Sequence, residues 1–119
     1  NDSCGATTRL LDMGVEPFLV ASSLEAVLAQ RLVRRICAAC GADYTPDHAE
    51  LPAEFMMPAS GLLRRGSGCR ACRNTGYRGR VGVYELLRIS DHTREQVMQR
   101  INAHQIAQSA KAEGNLSTL

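Results

Sequence analysis

Four of the five cysteines in this sequence stand in two pairs of identical spacing. Cys37 and Cys40 form one Cys-x-x-Cys pair, and Cys69 and Cys72 form the other. Such a turn lets both sulfurs face one ion, and two turns supply the four thiolates of a tetrahedral Zn²⁺ site. Thiolates are soft ligands that favour zinc or iron over Mg²⁺ and Ca²⁺. We therefore predict that these four cysteines bind one structural Zn²⁺, with no coordination position left open for metal catalysis.

Other uses of the paired cysteines fit the sequence less well. Two disulfides would need an oxidising compartment, and no segment has the pattern of an export signal. A catalytic dithiol needs a single Cys-x-x-Cys pair, whereas iron in the same geometry remains an open alternative to zinc. The fifth cysteine, Cys4, is interpreted as a small buried or half-buried residue. Three histidines lack a partner at metal-ligand spacing and are interpreted as surface residues: His48, His92 and His104.

An arginine-rich stretch surrounds the second cysteine pair, although the net charge of the whole chain is only +2. Residues 62–84 contain six arginines and no acidic residue. Arg70 and Arg73 lie within and beside the cysteine pair, where they would offset the negative charge of a tetrathiolate site. We predict that Arg64, Arg65 and Arg78 contact a neighbouring subunit or an acidic, membrane-associated partner. The alternative is a solvated surface without a partner.

The elements around the cysteines can be predicted from local patterns. A short helix is expected over residues 2–14, with Asp2 or Ser3 as its N-cap, and Pro17 is suited to opening the next element. Residues 23–36 fit either a helix or a strand. Residues 79–90 alternate apolar and other side chains with a high β-branched content, which predicts a strand.

The remaining segments are an irregular loop and a helical end. A short helix near residues 47–50 is expected in an otherwise irregular stretch between the cysteine pairs. Residues 90–103 and 104–114 have helical spacing of apolar side chains, and Ser90 or Asp91 is a candidate cap. The chain has no tryptophan, so any core must be built mainly from aliphatic side chains.

Two segments, "RLLDMGVEPFLVASSLEAVLAQRLVRRIC" and "GCRACRNTGYRGRVGVYELLRI", resemble the secretion ATPase family, which includes type II secretion ATPases and type IV pilus assembly ATPases. The resemblance covers nearly the whole chain and is vague only over residues 45–62. One departure is Ala38, where the family often has proline after the first cysteine, and it affects loop stiffness more than metal ligation. The closing "GNLSTL" resembles a helix–turn segment that normally continues, and we expect the chain to be part of a longer protein.

The resemblance implies an α/β fold: a fragment of the C-terminal domain of a RecA-like ATPase. In such a fragment helices surround a β-hairpin that carries an inserted tetracysteine zinc finger, and a helical subdomain follows. This favours the strand interpretation for residues 27–35. The expected division is residues 1–35 as the end of the ATPase core, 36–80 as the zinc-binding insertion, and 81–119 as the return strand and helical subdomain.

The same resemblance implies a function. The chain would be the C-terminal zinc-binding region of a cytoplasmic hexameric ATPase, peripheral to the inner membrane, that powers type II secretion or, alternatively, pilus assembly. Its partners would be other subunits of a homo-hexamer and the cytoplasmic domains of inner-membrane secretion proteins. ATP and Mg²⁺ would bind to upstream parts of the parent, because this sequence has no GxxxxGK[ST] motif. We therefore expect no catalytic or cofactor-binding residue in this chain, and no ATP hydrolysis by it alone.

A rival of another class is a free-standing zinc ribbon that binds nucleic acid through the arginines. Single-stranded nucleic acid is usually held by aromatic residues that stack on the bases as well as by basic residues. Only Tyr77 and Tyr84 lie near the arginines, and no base-reading helix follows a cysteine pair. We therefore expect no nucleic acid partner.

Overall fold

The computed structural model describes residues 2–118 as a mixed α/β fold. The described chain divides into two compact units. The helical unit comprises residues 2–32 with 82–118, and the cysteine unit is Val33–Val81. The α-helices are α1 (Ser3–Asp12), α2 (Pro17–Ser23), α3 (Asp91–Met98) and α4 (Ala103–Ala112). The strands are β1 (Ala26–Ile36), β2 (Gly41–Tyr44), β3 (Leu63–Gly66), β4 (Tyr77–Arg88) and β5 (Leu116–Thr118), and short 3₁₀ helices span His48–Glu50 and Arg70–Cys72.

The apolar core lies in the helical unit. Leu87 of β4 and Ile106 of α4 are completely buried, and Val97 of α3 lies with them in one cluster. Cys4 of α1 is also buried there, which confirms its interpretation as a small buried residue. The other members of the cluster are Leu11, Val20, Ala21 and Ala110.

Side-chain caps start the helices of this unit close to the predicted positions. The Asp2 carboxylate accepts a hydrogen bond from the Gly5 N–H at 2.6 Å, and Pro17 is the first residue of α2. The Ser90 hydroxyl accepts from the Thr93 N–H at 3.2 Å at the start of α3. Asn102 caps α4 by accepting from the Gln105 N–H at 3.0 Å. Since each cap satisfies a backbone donor that has no partner inside the helix, these residues fix where the helices begin.

The main sheet has the strand order β1-β4-β5. Strand β1 confirms the strand interpretation of residues 27–35, and β4 confirms the strand predicted within residues 79–90. The helix–turn interpretation of the closing segment is wrong, because residues 116–118 form β5 and pair antiparallel with β4. The cause is the fit of Leu116, which lies opposite Leu87 and packs against the core cluster.

The cysteine unit contains a second, two-stranded sheet in which β2 and β3 run antiparallel. Its register pairs Gly41 with Gly66 and Asp43 with Arg64. Only four residues of this unit are buried, namely Cys37, Pro46, Cys72 and Gly76. No member of the core cluster belongs to the cysteine unit. The unit therefore lacks an apolar core of its own, and two of its four buried residues are cysteines.

Within residues 2–118, no helix combines the length and the apolar character that crossing a bilayer requires. The RecA-like assignment and the three-part division of the chain stay predictions.

Candidate metal centre

The first cysteine pair lies in the turn between β1 and β2. Cys37 directly follows the last residue of β1, and its carbonyl accepts a hydrogen bond from the Gly41 N–H at 2.8 Å. This bond closes the turn over Cys37-Ala38-Ala39-Cys40. Ala38 therefore lies inside a turn that a backbone hydrogen bond already holds.

The second cysteine pair spans a single 3₁₀ turn. Cys69 is the N-cap of the 3₁₀ helix Arg70–Cys72, and its carbonyl accepts from the N–H groups of Cys72 at 3.2 Å and Asn74 at 2.9 Å. The chain then reverses through two residues in the left-handed region, Arg73 with φ 54° and Asn74 with φ 62°. Both cysteines of the pair are thereby held on one side of the turn.

These turns bring the four predicted ligands together. All four Sγ atoms lie within 4.8 Å of one another. The separations are 3.9 Å for Cys37–Cys69, 3.8 Å for Cys40–Cys72 and 3.7 Å for Cys69–Cys72. Four sulfurs at about 2.3 Å from a tetrahedral Zn²⁺ would lie about 3.8 Å apart. The cluster therefore has the size and the ligand type that a tetrathiolate metal site needs.

Backbone N–H groups surround the sulfur of Cys72. That sulfur accepts hydrogen bonds from the N–H groups of Cys69 at 3.2 Å and Gly76 at 3.3 Å. Burial acts to raise the pKa of Cys72, but these backbone bonds and the neighbouring thiols outweigh it and lower the pKa to about 6. Burial raises the pKa of Cys40 to about 11, and the neighbouring thiols add to this against a backbone hydrogen bond from Gly68. Because the thiolate rather than the thiol is the metal ligand, metal binding would displace the proton that the raised pKa keeps on Cys40.

No disulfide joins any of the described cysteines, all five of which are free. His48, His92 and His104 are exposed and lie outside the cluster, which confirms their interpretation as surface residues. Within the described part of the chain, the four cysteines are the one group of three or more potential metal-binding side chains close enough to share an ion.

The predicted interface arginines have different surroundings. Arg64 donates from Nη2 to the Gly41 carbonyl at 3.1 Å, and its Nε lies 3.5 Å from Asp43 Oδ1. The guanidinium of Arg65 stacks over the Tyr44 ring at 4.6 Å. Arg64 and Arg65 thus have contacts inside the β2–β3 sheet, which the sequence did not indicate. Arg78 is exposed, and no ion pair to it is found among residues 2–118.

The sequence model of the family described as type II/IV secretion system protein matches residues 1–119. The chain belongs to this family. Members of the type II/IV secretion system protein family with similar sequences include the type II secretion system protein E of Pseudomonas aeruginosa, which is 44% identical over 115 residues. That alignment covers 96% of this chain and 23% of the relative.

Two further relatives represent both branches of the type II/IV family. The type II secretion system protein E of Pectobacterium carotovorum is 47% identical over 108 residues, covering 91% of this chain and 22% of the relative. The type IV pilus assembly ATPase PilB of Thermus thermophilus is 39% identical over 117 residues, covering 96% of this chain and 13% of the relative. The chain therefore spans less than a quarter of the length of these relatives.

Proposed function

We propose that this chain is the C-terminal zinc-binding region of a hexameric, RecA-like ATPase that powers type II protein secretion. The observation that carries the proposal is the cluster of four cysteine sulfurs, which all lie within 4.8 Å of one another, with three of the pairs 3.7–3.9 Å apart. It lies in a chain that the type II/IV secretion family matches from residue 1 to residue 119. Tetrathiolate sites of this kind are structural and contribute directly to folding.

The chain would act as a structural and interaction module rather than as the site of catalysis. ATP and Mg²⁺ would bind upstream in the parent protein, where hydrolysis moves the subunits against one another. The zinc would lock the turn that follows β1 to the turn that precedes β4, because each turn supplies two of its four ligands. Such a cross-link gives the cysteine unit a fixed shape with which to pass on motion to a partner.

The type II branch is the better supported of the two branches. Relatives named as type II secretion proteins are 43–47% identical to this chain, and the two pilus ATPases named PilB are 39% and 41% identical. Pilus assembly is the alternative function. Both would place the protein in the cytoplasm, peripheral to the inner membrane, with other subunits of a homo-hexamer and cytoplasmic domains of membrane proteins as its partners.

Arg78 is the best-supported member of the proposed arginine interface. It is exposed and has no carboxylate partner among residues 2–118, whereas Arg64 is paired with Asp43 and Arg65 with Tyr44. In the full-length protein, Arg78→Glu should lower secretion while the metal content and the fold stay intact. Arg64→Glu is the contrasting variant, since it places a like charge opposite Asp43 and should loosen the β2–β3 sheet itself.

Two measurements test the proposal as a whole. Elemental analysis of the purified full-length protein should give one zinc per chain, and a value well below one metal would refute the metal site. One iron per chain instead would support the same four-cysteine site but show that the metal is iron. In a strain that lacks its own copy of the gene, Cys37→Ser should reduce export of folded proteins, while Cys4→Ser should not. Loss of surface pili with normal export would assign the protein to the pilus branch.

A further inference from the structure

Two glycines of the cysteine unit touch through their backbones. A Cβ atom added to Gly66 would lie 2.0 Å from the Gly76 carbonyl oxygen and 2.6 Å from the Gly76 Cα. A Cβ atom added to Gly76 would lie 2.5 Å from the Gly66 carbonyl oxygen. Both obstructing groups are backbone atoms, so no flexible side chain can move aside. Any side chain at either position must therefore push the two segments apart.

Gly76 is also in direct contact with both cysteine pairs. Its N–H donates to the sulfur of Cys72 at 3.3 Å, and its carbonyl accepts from the N–H of Cys37 at 2.9 Å. Gly76 is buried, so water cannot easily replace either hydrogen bond, and breaking one costs free energy. A shift of the Gly76 backbone would therefore disturb hydrogen bonds to one cysteine of each pair.

Gly66 holds the opposite side of the contact. It pairs with Gly41, the residue that follows Cys40, in the β2–β3 sheet. Its neighbour Ser67 donates from its N–H to the Cys40 carbonyl at 3.2 Å. The Gly66–Gly76 contact therefore lies between the segment bound to Cys40 and the segment bound to Cys72 and Cys37.

We propose that Gly66 and Gly76 are positioning residues of the metal centre, and that their backbone contact sets the distance between the two ligand pairs. The proposal rests on the proposed metal-binding function of the four cysteines. N–H donors to metal-bound sulfurs fix the orientation of the ligands, and the loss of such partners typically weakens metal affinity about 10–100-fold. Having glycine at both positions would thus support metal binding in the same way as the N–H donors do.

The chain offers a matched control for backbone conformation. Gly76 and Gly79 share a φ of 76°, which a residue with a side chain rarely adopts. A Cβ added to Gly79 would meet nothing within 4 Å, whereas one added to Gly76 would overlap Gly66. Gly79→Ala therefore carries the cost of the left-handed conformation without the contact. Gly66 lies outside the left-handed region, so Gly66→Ala tests the contact without that cost.

The experiment compares Zn²⁺ affinity, by chelator competition, and the visible absorption of bound Co²⁺ in the full-length protein. Gly66→Ala and Gly76→Ala should each weaken Zn²⁺ binding about 10–100-fold and shift the Co²⁺ bands. The double variant should be little worse than either single one, because both break the same contact. Gly79→Ala should keep the affinity and the spectrum of the unsubstituted protein.

The outcomes separate the inference from its premise. If the unsubstituted protein binds Zn²⁺ and both variants match Gly79→Ala, the positioning role is refuted and the metal site stands. If the unsubstituted protein binds no metal, the proposed function fails and this inference fails with it. If the glycine variants do not fold, hydrogen exchange in the unsubstituted protein still tests the inference. Chelation should speed exchange at Gly76 together with the cysteine turns, and unchanged exchange at Gly76 would refute its contact with the ligands.

Discussion

Removal of the proposed Zn²⁺ should unfold the cysteine unit and leave the helical unit folded. The cysteine unit buries only Cys37, Pro46, Cys72 and Gly76, and none of them belongs to the apolar cluster. The helical unit holds that whole cluster. Because hydrophobic burial is the main favourable term in folding, the unit without a core depends on another source of free energy.

The magnitude follows from the four ligands. Structural Zn²⁺ in small tetrahedral sites contributes about 10–16 kcal/mol at neutral pH, which matches the whole stability of an ordinary domain at about 5–15 kcal/mol. Shared among four thiolates, this is roughly 3 kcal/mol for one ligand, or about a hundredfold in affinity. Cys37→Ser removes a buried ligand whose sulfur lies 3.9 Å from that of Cys69. We therefore expect Zn²⁺ affinity to fall about a hundredfold or more.

Hydrogen exchange read by mass spectrometry, with limited proteolysis, measures this outcome in the full-length protein. Chelation, or Cys37→Ser, should raise exchange and cleavage throughout residues 33–81, first in the loop between β2 and β3. Peptides from α1, α3 and α4 should stay protected. Cys4→Ser is the control, because it removes a buried thiol that is not one of the four clustered cysteines. If residues 33–81 stay protected after complete removal of the metal, the reasoning from the missing core is wrong.

Two further predictions concern the helical unit. Leu87→Ala should lower the free energy of unfolding of this unit by about 2–5 kcal/mol, because Leu87 is completely buried, and the metal content should not change. Urea unfolding followed by helix circular dichroism measures it, and an effect below about 1 kcal/mol would contradict the packing described. The second prediction concerns Glu113, whose carboxylate accepts hydrogen bonds from the Ser90 hydroxyl and the Asn115 amide. These bonds, that from Ser90 most of all, hold the pKa of the Glu113 carboxyl below its usual value. These hydrogen bonds stabilise the folded protein above the usual pKa of about 4.3, and the stabilisation is lost as the pH falls through the lower pKa of the folded state. Glu113→Gln should therefore lower the free energy of unfolding at pH 7. In acid, the variant and the unsubstituted protein should have the same free energy of unfolding.

The sequence predicted those parts of the fold that depend on local signals. The cap at Asp2 and the proline at the start of α2 act within one turn of helix, so neighbouring residues are enough to place them. The strand within residues 79–90 was predicted because apolar and other side chains alternate there. The choice of strand over helix for residues 23–36 needed the family resemblance, since periodicity alone fits both.

The parts that the sequence did not predict depend on distant partners. Strand β5 is three residues long, and it forms because Leu116 lies opposite Leu87 on β4. Strands β2 and β3 are four residues each, and their register places Asp43 beside Arg64 only once the cysteine turns have brought them together. The Gly66–Gly76 contact could not be predicted from neighbouring residues. A sequence does not distinguish a glycine that a turn requires from one that a close backbone approach requires.

The centre of the cysteine unit and its outer loop carry different constraints. The sulfurs, the turns that hold them and the two touching glycines lie together, so a change there should disturb the proposed metal site. Phe55, Met56 and Leu62 are instead exposed, with Met56 at 90% of its full accessibility, so their apolar side chains contribute little to folding. Substitutions in this loop should therefore leave metal binding unchanged.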